Sequence, residues 1–397
     1  MLRLRCTSME RYPEIKVKRV ASWLVDSAEF TGINDDVYLW LDVRKAIRIN
    51  DFIDGNMLKV SGITLNFGRF FEDIKWPFVS VAGDYEGYLR WLSEKVPPNI
   101  KVVLNFSGGK DSVAAAKVLS DLGADVTLLY SHVSYLENPR NVDFVEKVAN
   151  RLGVKLVVVE ADREIMRNML KQGMPFRGNR WCTTQKVKPI RKVLKEMKDY
   201  VRADGERMFE SIKRFKRLSF HSPTTPKVFD FKKVRPIFLL TLIDVVKIVR
   251  EVNAVHPDYL KGLPRVACTF CPYKTLHELD ESVWNEVEDP GIIEEAIKAS
   301  YRRFEYDMPW EDFFERHMWR FSPKLANVLY KIQQELERKL GELEIVTSER
   351  VRSAYSSVWT EELPAVPELP PERAYKIFVK VMMKTYERML ESSREGG

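Results

Sequence analysis

The chain has 397 residues, of which 45% are hydrophobic and 30% charged, so two or three domains with hydrophobic cores are possible. It has no run of 18 apolar residues, which excludes a membrane-spanning helix, and its first residues lack the apolar core of a signal peptide. We therefore expect a cytoplasmic protein. Four cysteines are too few for a disulfide framework.

The net charge of +7 is unevenly distributed along the chain. Residues 186–235 contain 16 Lys and Arg against 6 Asp and Glu, a local balance of +10. Such a concentration indicates a polyanionic partner, with nucleic acid or a nucleotide phosphate as the first choice. A solvated basic face is an equally good alternative.

The pattern of the chain predicts three regions. Residues 1–98 contain alternating stretches at 37–43 and 57–65, which indicate short strands in a small α+β module. We expect this module to be structural, with RNA binding as an alternative. Residues 276–397 carry apolar residues at helical spacing and predict a helical C-terminal region.

Residues 99–275 alternate between strand and helix patterns. The strands are expected at 102–106, 125–130 and 155–159, and the helices at 112–122, 142–152, 163–171 and 241–252. Alternation of this kind predicts a doubly wound α/β fold with a parallel sheet covered on both faces. Ligands bind such sheets at the carboxyl ends of the strands.

The first predicted strand leads into the sequence SGGKDS, which has the composition of an anion site. Gly108 and Gly109 make a tight turn before a helix, so free backbone N–H groups and the helix dipole favour a negative ligand. Lys110 adds an ammonium group, and Ser107 and Ser112 add hydroxyl donors. The mononucleotide P-loop pattern GxxxxGK[ST] is absent. A plain strand-to-helix turn is the alternative.

Six segments in order extend this motif into a family resemblance: SGGKDS, RWCTTQKVKPI, DGERMFESIKR, PIFLLTLIDVV, HPDYLKG and RVACTFCPY. Together they resemble the phosphoadenosine phosphosulfate (PAPS) reductase family of PP-loop ATP pyrophosphatases over about residues 100–275. The resemblance implies an adenine nucleotide alpha hydrolase-like fold. It also implies ATP, or PAPS or adenylyl sulfate, as the bound nucleotide, together with Mg²⁺.

Candidate residues follow from the loop and the motifs around it. The nucleotide-binding set comprises Ser107, Gly108, Gly109, Lys110, Asp111, Ser112, His132, Gly205 and Arg214. The expected catalytic groups are Lys110 and Arg207, which would stabilise phosphate charge, and Asp111, which would help to place Mg²⁺. His132 is included because its strand should end on the same rim as the loop, and an ordinary loop residue is the alternative.

Three cysteines match positions that hold an iron–sulfur cluster in some sulfonucleotide reductases of this family. Cys182 matches the second cysteine of a Cys-Cys pair, Trp181 stands where the first would be, and Cys268 and Cys271 match the later CxxC. The resemblance implies a [4Fe–4S] cluster with one open iron, as in tRNA thiolases of the wider PP-loop group. Zinc, Cys6 as a fourth ligand, and buried structural cysteines are the alternatives.

The chain lacks the usual nucleophile of a sulfonucleotide reductase. Those enzymes attack with a cysteine in a C-terminal tail, and this chain has no cysteine after Cys271. We therefore expect an ATP-dependent sulfur transferase that adenylates a substrate such as a tRNA base and then thiolates it. The alternatives are a sulfonucleotide reductase of sulfate assimilation with an external thiol, and a non-catalytic nucleotide- or RNA-binding module.

The expected partners follow from this function. They are an adenine nucleotide, tRNA or another nucleic acid, a sulfur donor or thiol carrier, and a second copy of the chain in a homo-oligomer. No membrane partner is expected.

Overall fold

A computed structural model of the chain describes residues 20–25, 28–33, 36–54, 57–66, 79–161, 164–208, 210, 214–215, 217–218 and 227–395. Cys6, and with it the alternative of a fourth cysteine ligand, lies outside these residues, as does part of the DGERMFESIKR motif. Among the described residues, no helix is both long and apolar enough to cross a membrane.

The N-terminal region forms two small antiparallel sheets. The first contains β1 (Val20–Val25), β2 (Ala28–Ile33), β3 (Asp36–Trp40) and β4 (Lys45–Arg48). The second contains β5 (Ile53–Asp54), β6 (Met57–Val60) and β7 (Ile63–Asn66). The alternating stretch at 57–65 is divided into a hairpin because Ser61 and Gly62 both have positive φ, 43° and 82°, as a two-residue turn requires.

A six-stranded sheet forms the centre of the protein, in the order β10-β9-β8-β11-β13-β12. Its members are β8 (Lys101–Phe106), β9 (Asp125–His132), β10 (Lys155–Glu160), β11 (Val201–Ala203), β12 (Phe229–Asp230) and β13 (Lys233–Val234). All neighbouring strands are parallel except β12 and β13. Three consecutive residues of β8, Val102, Val103 and Leu104, are buried, so the sheet is covered on both faces. The predicted α/β fold is confirmed.

Helices follow the strands of this region as expected. They are α1 (Tyr85–Ser93), α2 (Lys110–Asp121), α3 (Arg140–Leu152), α4 (Glu164–Gln172), α5 (Trp181–Glu196), α6 (Leu242–Glu251) and α7 (Pro257–Leu260). The predicted helices lie within a few residues of the observed ones. Helix α5 was not predicted. It contains Pro189, and none of its residues, which are all described, is buried.

The C-terminal region is helical, with one exception. It contains α8 (Pro290–Arg303), α9 (Trp310–Glu315), α10 (Pro323–Arg338), α11 (Ser348–Thr360) and α12 (Pro371–Glu395). The exception is β14 (Ile345–Thr347), which pairs antiparallel with β4 and so completes the first N-terminal sheet. Sequence patterning does not detect a strand of three residues, because so short a segment has no measurable period.

Two large clusters of buried side chains connect these regions. One joins the central sheet to α1, α2, α6 and α12. The other joins the N-terminal sheets to α4 and to α8–α10, and it includes Leu39, Met169, Ile293 and Leu329. The last helix, α12, thus packs in the cluster of the central sheet, whereas the N-terminal sheets pack with α4 and α8–α10.

Candidate nucleotide and thiol site

The loop after β8 lies where the strand order of the central sheet reverses. From β8 the chain proceeds to β9 and β10 on one side, and β11 and β13 lie on the other side. Residues 107–109 follow β8 and Gly205 follows β11, so the two turns flank this reversal. In open α/β sheets the crevice at such a switch point is the usual ligand site.

The loop is closed by its two serine hydroxyls. The Ser107 N–H donates to Ser112 Oγ at 3.3 Å, and Ser112 Oγ is 2.8 Å from the Gly109 carbonyl oxygen, to which it donates. The Gly109 N–H donates to Ser107 Oγ at 3.3 Å. Gly108 has a φ of 72°, a conformation that favours glycine. Both predicted phosphate donors, Ser107 and Ser112, therefore already hold the shape of the loop.

Gly205 allows the turn after β11 to touch the start of α2. A Cβ atom at this position would lie 2.7 Å from the carbonyl oxygen of Asp111 and 3.1 Å from the backbone nitrogen of Ser112. Side chains do not tolerate such a contact with backbone, so a residue without a Cβ is required here. The sequence prediction of Gly205 as a site residue thus has a steric basis.

The three predicted catalytic residues meet in one charge cluster. Asp111 Oδ2 lies 3.1 Å from Lys110 Nζ, and Asp111 Oδ1 lies 2.5 Å from Nε of the buried Arg207. Burial alone would raise the pKa of Asp111, but the two cations outweigh it and lower that pKa. Asp111 is therefore ionised, and it holds Arg207 beside the first turn of α2.

A tyrosine from the HPDYLKG segment supports the loop from the other side. The Lys110 N–H donates to the Tyr259 hydroxyl at 2.9 Å, and Lys110 Nζ lies 5.9 Å from the Tyr259 ring centroid. That ring stacks on Trp359 of α11 at a centroid distance of 4.5 Å. The motif was recognised in the sequence, but the role of Tyr259 was not, because nothing local relates residue 259 to residue 110.

Arg214 is paired with an acid of its own segment. Its guanidinium contacts Glu210, four residues earlier in the chain. Burial, followed by the negative charge of Asp111, raises the pKa of Glu210. Glu210 is therefore a charge partner of the predicted nucleotide-binding residue Arg214.

A buried acid, Glu137, organises the other half of the site. Glu137 Oε2 accepts a hydrogen bond from the Tyr130 hydroxyl at 2.8 Å, and Oε1 lies 2.6 Å from Lys186 Nζ. Burial would raise the pKa of Glu137, but Lys186 and the hydrogen bonds lower it to about 2. His132 Nδ1 lies 3.6 Å from Glu137 Oε2, beyond hydrogen-bonding distance. The predicted nucleotide residue His132 is thus a neighbour of Glu137.

One of the three predicted thiols, Cys268, contacts this acid. Cys268 Sγ lies 3.4 Å from Glu137 Oε1, Cys182 occupies the first turn of α5, and the Cys271 N–H donates to the Cys268 carbonyl at 3.1 Å. All three are free and partly accessible thiols. Burial raises the pKa of Cys268 well above its usual value, and the negative charge of Glu137 adds to this effect.

The thiols are close enough to influence each other. Charge on Cys271 raises the pKa of Cys182, after the larger effect of burial. Among the described residues, however, no three His, Cys, Asp or Glu side chains are arranged as a ready metal site. The structure therefore brings the three predicted cysteines together without showing metal-ligand geometry.

Comparison with known proteins identifies the central segment. Residues 101–274 match the family model of the phosphoadenosine phosphosulfate reductase domain. This segment is a PAPS reductase domain. The resemblance deduced from the six motifs is confirmed for it.

Two further proteins are similar to the chain. An uncharacterized protein of Methanocaldococcus jannaschii is 25% identical over 360 residues, which cover 82% of this chain and 80% of that protein. The solved structure of a predicted subunit of tRNA methyltransferase, also from Methanocaldococcus jannaschii, has 21% identity and a TM-score of 0.25. It covers 38% of this chain and 74% of that one. No conclusion on function follows from a score of this size.

The match of residues 101–274 to the PAPS reductase domain indicates the ligand class of the phosphate loop. PP-loop domains bind ATP or a related adenine nucleotide, and the domain here includes both turns that flank the switch point. Sequence reasoning missed three residues of the site: Tyr259, Glu137 and Lys186. Each of them contacts a residue that lies far away in the sequence, so no local pattern indicates its role.

Proposed function

We propose that the protein is an ATP-dependent sulfur transferase, which activates an acceptor oxygen by adenylation and then replaces it with sulfur. The observation that supports this most strongly is that the phosphate loop and the thiols share one edge of the sheet. The loop follows β8, and the Cys268 thiol contacts Glu137, which is hydrogen-bonded to Tyr130 in the neighbouring strand β9. Phosphate and sulfur chemistry can therefore take place in one crevice.

Residues of the loop and of α2 fit the phosphates of ATP. Asp111 and Ser112 lie in the first turn of α2, where backbone N–H groups have no acceptor within the helix. The helix dipole and the Lys110 ammonium add positive potential at the same point. Gly205 keeps the approach free of a side chain.

The adenylation step needs charge stabilisation more than proton transfer. An oxygen of the acceptor attacks the α-phosphorus, the bond from that phosphorus to the bridging oxygen breaks, and pyrophosphate leaves with the electron pair. Lys110 and the N–H groups of α2 stabilise the negative charge that develops on the phosphates. Arg207 is a second cation for this task, and Asp111 orients it and would help to place Mg²⁺. Sulfide then attacks the activated carbon, the bond from that carbon to the adenylated oxygen breaks, and AMP leaves with the electron pair.

Cys182, Cys268 and Cys271 would hold the group that carries the sulfide. Thiolates are ligands of both [4Fe–4S] clusters and zinc, so the chemistry of these three side chains suits either group. When bound, a cluster with three protein ligands supplies an open iron for the transferred sulfur. Lys186 pairs with Glu137, which contacts Cys268, and would offset the negative charge of thiolates that hold such a group.

The test combines metal analysis with turnover. Anaerobically purified protein is analysed for iron, zinc and sulfide beside a Cys182→Ala, Cys268→Ala variant, and then incubated with ATP, sulfide and unmodified tRNA. We expect about four irons per chain, pyrophosphate release that depends on tRNA, and a thiolated nucleoside in the mass spectrum. Lys110→Ala should abolish pyrophosphate release. Pyrophosphate release at the same rate with and without tRNA, or the absence of a thiolated product, would contradict the proposal.

A second candidate is a sulfonucleotide reductase that takes its thiol from another molecule, and the match to the PAPS reductase domain favours it. In that case PAPS or adenylyl sulfate would release sulfite in the presence of dithiothreitol or thioredoxin. A protein that binds ATP and PAPS without either reaction would instead be a nucleotide-binding module. Sulfite release and tRNA-dependent pyrophosphate release distinguish the three functions.

A further inference from the structure

The structure divides the basic stretch at 186–235 into two parts with different roles. Outside α5, one group of described cations is paired within the fold: Lys233 contacts Asp204 and Glu206, and Arg217 and Arg235 contact Glu206. These charges are neutralised within the fold. Helix α5 carries five cations, Lys186, Lys188, Arg191, Lys192 and Lys195, against one acid, Glu196, and so has a local charge of +4.

Helix α5 presents its remaining cations on one face. Four exposed cations lie at steps of three, one and three residues, which is the spacing of one helix face. They are Lys188, Arg191, Lys192 and Lys195. In the described part of the chain, Arg191, Lys192 and Lys195 have no ion-pair partner. No residue along α5, which is described throughout, is buried, so this helix has an uncovered side.

A groove runs along this cationic face. It has a volume of about 570 Å³ and is lined by Thr184, the four cations, Pro189 and Glu160 at the end of β10. One acid against four cations leaves a strongly positive surface. The cations are arranged in a row along the helix, which suits an extended chain of negative charges better than a single compact anion.

We propose that this groove binds the phosphate backbone of an RNA and so positions the acceptor of the sulfur transfer. This inference rests on the proposed function for the choice of RNA, whereas the cationic groove itself does not depend on it. The same helix begins with Trp181 and Cys182 at the thiol site. With a rise of 1.5 Å per residue, Lys195 lies about 20 Å along the axis from Cys182. If RNA is bound along the groove, a nucleotide next to the bound segment would therefore reach the thiols.

The test measures binding of the full-length protein to a fluorescein-labelled 20-nucleotide single-stranded RNA and to unmodified tRNA over a range of salt concentrations. The variant Arg191→Gln, Lys192→Gln, Lys195→Gln removes three exposed charges. The matched control, Lys376→Gln, Lys380→Gln, Lys384→Gln, removes three exposed charges from α12, at similar helical spacing. Circular dichroism and ATP binding check that both variants are folded.

We expect the α5 variant to lose at least about tenfold in RNA affinity at 0.1 M salt, while the α12 variant retains wild-type affinity. The slope of log K against log salt should fall by about 2 for single-stranded RNA, since each released phosphate contact contributes about 0.7. Equal losses in the two variants would overturn the proposal, because they would indicate a non-specific charge effect.

Two further outcomes separate this inference from the proposed function. RNA binding that depends on α5, without thiolation, would support the groove and contradict the sulfur transferase. The opposite result, thiolation that the α5 variant retains at wild-type KM for tRNA, would overturn the groove and leave the proposed function intact. Binding to phosphatidylserine vesicles that requires α5, with no RNA binding by the wild type, would also overturn the inference.

Discussion

The hydroxyl of Tyr259 is the contact through which the HPDYLKG segment acts on the phosphate loop. It accepts the Lys110 N–H, and its ring is held in place by stacking on Trp359. Without the hydroxyl the N–H would lose its acceptor, and the first residue of α2 would be less well fixed. The loop would then be less well organised for phosphates.

Tyr259→Phe should therefore weaken ATP binding by about three- to tenfold, which corresponds to one neutral hydrogen bond of about 1 kcal/mol. Isothermal titration calorimetry measures the change. Tyr85→Phe is the matched control, because Tyr85 bonds to Asp121 at the opposite end of the same helix. If both variants weaken ATP binding equally, Tyr259 acts only through the stability of α2.

Gly205 offers a steric test of the switch-point site. Gly205→Ala places a methyl group 2.7 Å from the Asp111 carbonyl oxygen, so the turn after β11 and the start of α2 must move apart. We expect a loss of ATP affinity of at least about tenfold, since phosphate sites depend on sub-ångström positions. Gly341→Ala, whose Cβ meets nothing within 4 Å, should bind ATP like the wild type. Unchanged affinity of Gly205→Ala would place the nucleotide elsewhere.

At the residue scale, the sequence was sufficient to predict local motifs of the site but not contacts between residues far apart in the chain. Six consecutive residues were sufficient to predict the phosphate loop, and the cysteines were found by their motifs. Tyr259 and Glu137 were not predicted because their partners lie 149 and 131 residues away in the chain. Polar contacts over such separations depend on the fold and leave no period or motif in the sequence.

At the scale of secondary-structure elements, one carboxylate after β11 contacts several cations, one of which lies in the neighbouring strand β13. Glu206, after β11, contacts Arg217, Lys233 and Arg235. Burial would raise the pKa of Glu206, but hydrogen bonds from Lys233 and Arg217 lower it to about 2. A carboxylate with a lowered pKa in the folded state stabilises the fold above its unfolded pKa and loses this effect as the pH falls.

The stability that Glu206 contributes should therefore be complete above pH about 4.5 and disappear as the pH falls toward 2. We expect the difference in free energy of unfolding between wild type and Glu206→Gln to be about 1–2 kcal/mol at pH 6, allowing for solvent screening. Urea denaturation at pH 6 and pH 3 measures it. The exposed Glu295→Gln is the control and should change little. A difference that is the same at both pH values would show that Glu206 acts through packing.

The elements themselves were predictable to different degrees. The strands β8, β9 and β10 and the helices α2, α3, α4 and α6 were found because each is long enough to display its period, whereas the two-residue strands β12 and β13 are too short. Helix α5 was missed because its residues are half-buried or exposed throughout and a proline lies inside it. The basic stretch predicted a polyanion, but the separation of paired from exposed cations required the positions of Glu206 and Asp204.

At the scale of the whole molecule, β14 joins the two ends of the chain. Val346 in β14 is buried beside Tyr38 and Trp40 of the N-terminal sheet and pairs with Ala46 of β4. The neighbouring Ile345 is 39% exposed. The two residues lie in the same strand and point to opposite faces of the sheet.

Val346→Asp should lower the free energy of unfolding by about 3 kcal/mol, because it removes a buried side chain and buries a carboxylate without a partner. Ile345→Asp, on the exposed face, should lower it by less than about 1 kcal/mol. Limited proteolysis should cleave the Val346→Asp variant in its N-terminal region first. Equal sensitivity of both variants would contradict the role assigned to β14.

The pairing of β4 with β14 also has a consequence for synthesis on the ribosome. Nearly 300 residues separate the end of β4 at Arg48 from the start of β14 at Ile345. At roughly 5–20 residues per second, the ribosome leaves the edge of β4 uncovered for roughly 15–60 s. During that time the edge can pair with other nascent chains. Any chain that is released before residue 345 keeps this edge open permanently, so premature termination should produce aggregates even when the nucleotide domain is complete.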